Sequence, residues 1–370
     1  MEKFSTWRDP STGLAPFVYP LAPLASNLLP DWLKLPLYPI ALMRTIILII
    51  LAVSLVVINL SIENLFPFLS TSSRRLIGKI FAKVLGRSAL YVLGFISLPC
   101  DVPFTIKSPT FKVLGQRDVG PGEIIMTNWS SYVELIYLTY LYDPIFLVPV
   151  PDKESNEVKG FTQESMIKLI ISCGNSPTVF DDPSRKNVKS LSHWIKGSKD
   201  LFKRPIVILP EATTSNNRAL LKFPNLNPTS IGQIDEDLIV FFLIFRHEQP
   251  SRLRNSITIP IPSKPLNLPH VLTSNLFPIT LFPPILLLIQ SILSPSTSST
   301  SSSELVSFNS RSFNVRYPKN NNFPMSIKAE DLFETGAKVM TSVGKLKQTN
   351  TIGCVHKEGF LSYLKSRRKY

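Results

Sequence analysis

Two short polar stretches hold the residue types from which a catalytic site could be built. The first is Asn128-Trp129-Ser130-Ser131-Tyr132-Val133-Glu134, after the apolar run 123–128. The second is Glu211-Ala212-Thr213-Thr214-Ser215-Asn216-Asn217-Arg218, after the apolar run 205–209. A carboxylate in such a place can exchange a proton or orient a base. Three hydroxyls, two amides and a forked guanidinium in succession suit a phosphate or another anion. The bland readings are an ordinary polar turn for the second stretch and a helix cap for Asn128. The chain has four histidines, His193, His247, His270 and His356, and none lies in either stretch. Cys100, Cys173 and Cys354 are odd in number and far apart, so neither a disulfide framework nor a zinc site follows, and no metal is expected. Three scattered thiols fit a reducing, cytosol-facing environment.

Those stretches need elements to hold them. Strands are expected at 123–128, 146–151, 205–211, 239–245, 257–262 and 312–318, and helices at 130–142, 161–172 and 188–202. Short apolar runs alternating with helix-compatible segments predict an α/β fold. Its sheet is mixed and largely parallel, with helices flanking it. In such sheets ligands bind beyond the C-terminal ends of the strands, which is where both polar stretches fall.

The N-terminal third reads as a membrane module. Residues 38–62 are apolar apart from Arg44 near the start, and long enough for a transmembrane helix. A buried core helix is the alternative. The segment starts too late for a signal peptide. Arg74, Arg75, Lys79, Lys83 and Arg87 follow it, so the positive-inside rule puts the C-terminal side in the cytoplasm. Residues 1–37 are then opposed to the cytosol or interfacial. Within 74–98 apolar and basic residues interleave at helical spacing. That suits a helix lying on an anionic membrane, or equally one packed on the domain.

The remaining domain is expected over 105–350, with a basic tail at 351–370. Residues 276–293 are almost wholly apolar but broken by Pro278, Pro283 and Pro284, which suits an interfacial segment or a buried irregular connection. The Ser-rich run 294–304 reads as a disordered insertion. Lys plus Arg number 40 against 26 Asp plus Glu, a net charge of +14. A basic excess suits anionic lipid or phosphorylated substrates; nucleic acid is not expected, since no zinc-finger spacing or aromatic RNA-binding run occurs.

Together the two polar stretches resemble the motifs of the PlsC-type glycerolipid acyltransferases. That family has Asn-His and an aspartate further along after an early strand, then Pro-Glu-Gly-Thr after a later one. Asn128 to Glu134 and Pro210-Glu211-Ala212-Thr213 match them in order and placement. Residues 178–185, through Phe180, Asp182 and Arg185, are similar to a middle block, and 259–262 to a proline-containing fourth. Residues 1–17 resemble the start of the fungal lysophosphatidic acid:oleoyl-CoA acyltransferase subfamily, which is also linked to vacuolar sorting.

The resemblance implies acyl transfer from acyl-CoA, a substrate and not a cofactor, to lysophosphatidic acid. The product is phosphatidic acid, made at the endoplasmic reticulum or lipid droplet. It also implies that Glu211, Ala212, Thr213, Thr214, Ser215, Arg218 and Arg185 hold the acceptor. Two positions depart from the family. Trp129 stands at the histidine position, and an indole N–H cannot accept a proton. Ala212 stands where the family has glycine, which favours a backbone conformation that costs alanine more. The base is then Glu134 or a histidine supplied by the fold, with His193 the first candidate. Alternatively, the site works by positioning alone. A catalytically inert lipid-binding or trafficking protein of the same fold is the competing reading, and a different headgroup preference is a third.

Overall fold

The computed structural model describes residues 4–20, 37–65, 71–95, 100–104, 112–113, 119–177, 187–234, 236–247, 250, 256–274, 313–318 and 325–367. Arg185, the apolar stretch 276–293 and the Ser-rich run 294–304 lie outside them.

Four neighbouring parallel strands form the centre of a mixed sheet: β9 (Leu238–His247), β3 (Ile124–Thr127), β6 (Ile206–Ile208) and β4 (Ile145–Pro151). Each is apolar on both faces because each is covered on both faces. Ile125, Val207, Phe241 and Leu243 pack on one side; Ile124, Met126, Ile206 and Phe242 pack on the other. Antiparallel β5 (Glu157–Glu164) extends the sheet beyond β4. Antiparallel β10 (Phe313–Pro318) and β11 (Met325–Ile327) share the outer edge of β9. The expected class, a mixed and largely parallel sheet flanked by helices, is the one observed.

Two elements differ from the sequence reading. Residues 161–164 belong to β5, and the helix expected over 161–172 is confined to α4 (Met166–Ser172), capped by the Ser165 hydroxyl. Residues 257–262 make no ladder: Pro260 and Pro262 lack N–H donors, and the Ile259 N–H goes to the Ser130 carbonyl.

One face of the sheet carries α3 (Tyr132–Tyr142), buried from Tyr132 through Thr139 because helix α2 (Thr71–Val92) lies across its back. The helices approach closely at Gly86, where a β-carbon would stand 3.0 Å from that of Tyr140. Beside α2 packs α1 (Leu37–Leu65), the helix whose residues 38–62 are uncharged apart from Arg44 and long enough to cross a membrane by length and composition. The opposite face carries α5 (Leu191–Gly197) and α8 (Leu332–Gly344).

The two ends of the chain are part of the domain, where the sequence reading had set them apart. Residues 347–353 form β12 (Lys347–Gly353), parallel to β7 (Ala219–Lys222), and α9 (His356–Arg367) follows in place of the expected tail. Residues 4–20 form a strap across these elements. Phe17 is fully buried beside Phe360 of α9. Asp9 is fully buried; one carboxylate oxygen accepts from the N–H groups of Asn350 and Thr351 and from the Thr351 hydroxyl. The other accepts from Ser11 and Thr12.

Candidate active site

Because β9, β3 and β6 are adjacent and parallel, their C-terminal ends open on the same edge of the sheet. β3 delivers Asn128 to Glu134, β6 delivers the Glu211 loop, and β9 delivers His247.

Asn128 does not cap α3. Its amide pairs with the Phe245 backbone, donating to the carbonyl (3.0 Å) and accepting from the N–H (2.8 Å). That locks the end of β3 to the end of β9. The cap is Ser131, with Glu134 completing a reciprocal capping box.

Glu134 is fully buried and has more partners than a cap needs. Oε2 accepts from the Ser130 N–H at 2.8 Å, and Oε1 accepts from the Ser130 hydroxyl. Oε1 also lies 2.8 Å from Nε2 of His247, whose side chain is buried. Asn217 braces the pair: its Nδ2 donates to Ser130 Oγ and to the Phe245 carbonyl, and its Oδ1 accepts from the His247 N–H. A carboxylate holding the Nε2 proton leaves Nδ1 as the basic ring atom. A carboxylate and an imidazole thus meet at the end of the motif that lacks its histidine.

The other sequence candidates fall elsewhere. His193 is on α5, exposed, 3.0 Å from Lys189 Nζ, on the opposite face of the sheet from α3. The structure does not bring it to the motif. Trp129 is buried, packed with Leu209, Ala212 and Cys173, and lines a small cleft with Leu169, Lys168 and Thr213.

The Glu211 loop is an internal clamp. Glu211 accepts from the Trp129 N–H (2.8 Å) and the Leu221 N–H (3.0 Å) and is fully buried. Burial, against those hydrogen bonds, pushes its carboxyl up to about 8. Ala212 sits at φ +53°, a left-handed conformation that glycine would adopt more easily. Thr213, Thr214, Ser215, Asn216 and Asn217 are all buried, and their polar groups are bonded to protein: Thr213 to the Asn175 carbonyl, Ser215 through its N–H to the Trp129 carbonyl, Asn216 to the strap carbonyls of Ala15 and Val18. Arg218 is the exposed member of the loop.

Lys357 of α9 was not anticipated. Its ammonium is buried and donates to the Thr214 carbonyl at 2.6 Å and to the Thr214 hydroxyl at 3.2 Å, and it lies over the Phe17 ring. Burial, offset by Cys173 and Glu211, lowers its pKa from 10.5 to about 7. The unfolded chain therefore binds the extra proton between about 7 and 10.5, and this group makes stability rise with pH across that window. Lys357→Met should flatten that rise, which unfolding midpoints at several pH values would show.

Among the described residues no cluster of His, Cys, Asp and Glu could hold a metal ion.

By sequence the chain is similar, at a distance, to a fungal protein. It is 26% identical over 271 residues, 71% of its own length and 77% of the other's, to a Schizosaccharomyces pombe protein named "Putative lysophosphatidic acid:oleoyl-CoA acyltransferase". No family model and no solved structure matches the chain.

Proposed function

We propose that the protein transfers a fatty acyl group from acyl-CoA to the free hydroxyl of lysophosphatidic acid, forming phosphatidic acid at a cytosol-facing membrane surface of the endoplasmic reticulum or lipid droplet. The observation that carries this reading is the 2.8 Å contact between His247 and Glu134 at the end of a motif whose own histidine is Trp129. His247 is the general base and Glu134 orients it. The imidazole takes the hydroxyl proton as the oxygen attacks the thioester carbonyl. Collapse of the tetrahedral intermediate expels the CoA thiolate, which takes that proton back from the imidazolium.

The phosphate of the acceptor meets Arg218, the exposed cation of the Glu211 loop, in place of the buried hydroxyls and amides. Arg218→Ala should raise KM for lysophosphatidic acid about tenfold, the size of one charge-assisted hydrogen bond, and leave an uncharged monoacylglycerol acceptor unaffected. Equal loss for both acceptors would remove Arg218 from phosphate binding.

A second reading, an inert lipid-binding protein, is favoured by the burial of the pair and by Trp129. Labelled oleoyl-CoA and lysophosphatidic acid given to the purified protein separate the two. Labelled phosphatidic acid supports the enzyme; lysolipid binding without product supports the inert protein.

A further inference from the structure

We propose that the N-terminal strap is a positioning element of the site: residues 15–18 hold Asn216, and through it hold Asn217 where it orients His247. This role rests on His247 being the base.

Asn216 is buried and directs three donors at the strap. Its Nδ2 donates to the Ala15 carbonyl at 2.8 Å and to the Val18 carbonyl at 2.9 Å, and its main-chain N–H donates to the Pro16 carbonyl at 2.9 Å. Its Oδ1 accepts from the Arg218 N–H. The next side chain serves the site instead. Asn217 donates to Ser130 Oγ and the Phe245 carbonyl and accepts from the His247 N–H. One peptide unit therefore joins the strap to the Glu134–His247 pair.

The backbone of the loop needs such a hold. Ala212 at φ +53° and Asn217 at φ +61° bracket it, and left-handed residues other than glycine persist where their surroundings over-determine them. Glu211 fixes the first bracket through the Trp129 and Leu221 N–H groups. The strap fixes the second at Asn216. Lys357 joins strap and loop again: it donates to the Thr214 carbonyl and lies 5.6 Å from the centre of the Phe17 ring.

The strap is itself anchored outside the loop. Asp9 is bonded to β12, Phe17 packs beside Phe360 of α9, and the Tyr19 hydroxyl donates to the Ile261 carbonyl at 2.9 Å. Asn217 thus takes its position from segments far away in the chain. A misplacement of about 1 Å at a reacting group can cost about 10²-fold in rate.

The test compares the full-length wild type with Asn216→Ala and with Phe17→Leu, which keeps Asn216 and loosens the strap beside it. Amide hydrogen exchange reads the geometry without turnover. The His247 N–H should exchange about tenfold faster in Asn216→Ala, and faster in Phe17→Leu, while the amides of α8 keep their wild-type protection. Unchanged exchange at His247, or equal acceleration in α8, would overturn the proposal. In the acyl-transfer assay Asn216→Ala should lower kcat about ten- to a hundredfold with KM for acyl-CoA unchanged. Placed on His247→Gln, it should change the residual rate less than about twofold, because the strap acts through that histidine. An equal loss on both backgrounds would also overturn the proposal. A wild type without turnover would end the acyl-transfer reading alone, and exchange at His247 would still decide whether the strap holds it.

Discussion

His247→Gln should lower kcat for phosphatidic acid formation by about 10²–10⁴, the range that loss of a general base produces, with little change in KM for either substrate. The glutamine amide can still donate to Glu134, so the buried carboxylate keeps a partner, but an amide cannot take up the hydroxyl proton. His247→Ala should show the same rate loss and a stability loss of about 1.5–3 kcal/mol, because it removes one hydrogen-bond partner of buried Glu134 while the Ser130 bonds remain. The pair of variants thus separates chemistry from folding. A glutamine variant that folds and turns over normally would move the base elsewhere.

The second large effect is on stability. Asp9→Ala should destabilise the protein by about 2–4 kcal/mol, since one carboxylate oxygen joins the strap to β12 and the other closes the strap's own turn at Ser11 and Thr12. Burial opposes ionisation of Asp9, but the bonds from Ser11, Thr351 and Thr12 outweigh it and hold the carboxyl well below the ordinary 3.8. A depressed carboxylate stabilises above its unfolded pKa and loses that contribution as pH falls through the folded value. The wild type should therefore lose this part of its stability below about pH 4, and the Asp9→Ala variant should not. Urea midpoints at pH 7 and pH 3 would show the difference. An unchanged midpoint at pH 7 would mean that the Asp9 bonds contribute nothing.

The sequence carried the core strands because parallel strands covered on both faces read as uninterrupted apolar runs, as in 123–128 and 239–245. It carried the positions of both polar stretches because strand ends are where such a sheet opens. It did not carry the partner of Glu134, although a signal was present. Phe241, Leu243 and Phe245 alternate toward the α3 face, and two further residues along the same strand bring His247 to that face. The strand expected from the apolar run ends at residue 245, two short of the histidine, and His193, the first candidate by sequence, lies on a helix that the fold places on the other face. The internal use of residues 213–217 was not legible, because hydroxyls and amides read alike whether they bind a ligand or the chain itself. The strap was also hidden: Asp9 and Thr351 meet across 342 positions, and no local pattern announces such a contact.

The most direct test of the central claim is the initial rate of oleoyl transfer from labelled oleoyl-CoA to lysophosphatidic acid, measured side by side for the wild type, His247→Gln and His193→Ala. The account predicts turnover by the wild type and by His193→Ala, and its near-complete loss in His247→Gln. Turnover that survives in His247→Gln, or a wild type that binds lysolipid without turning it over, would contradict it.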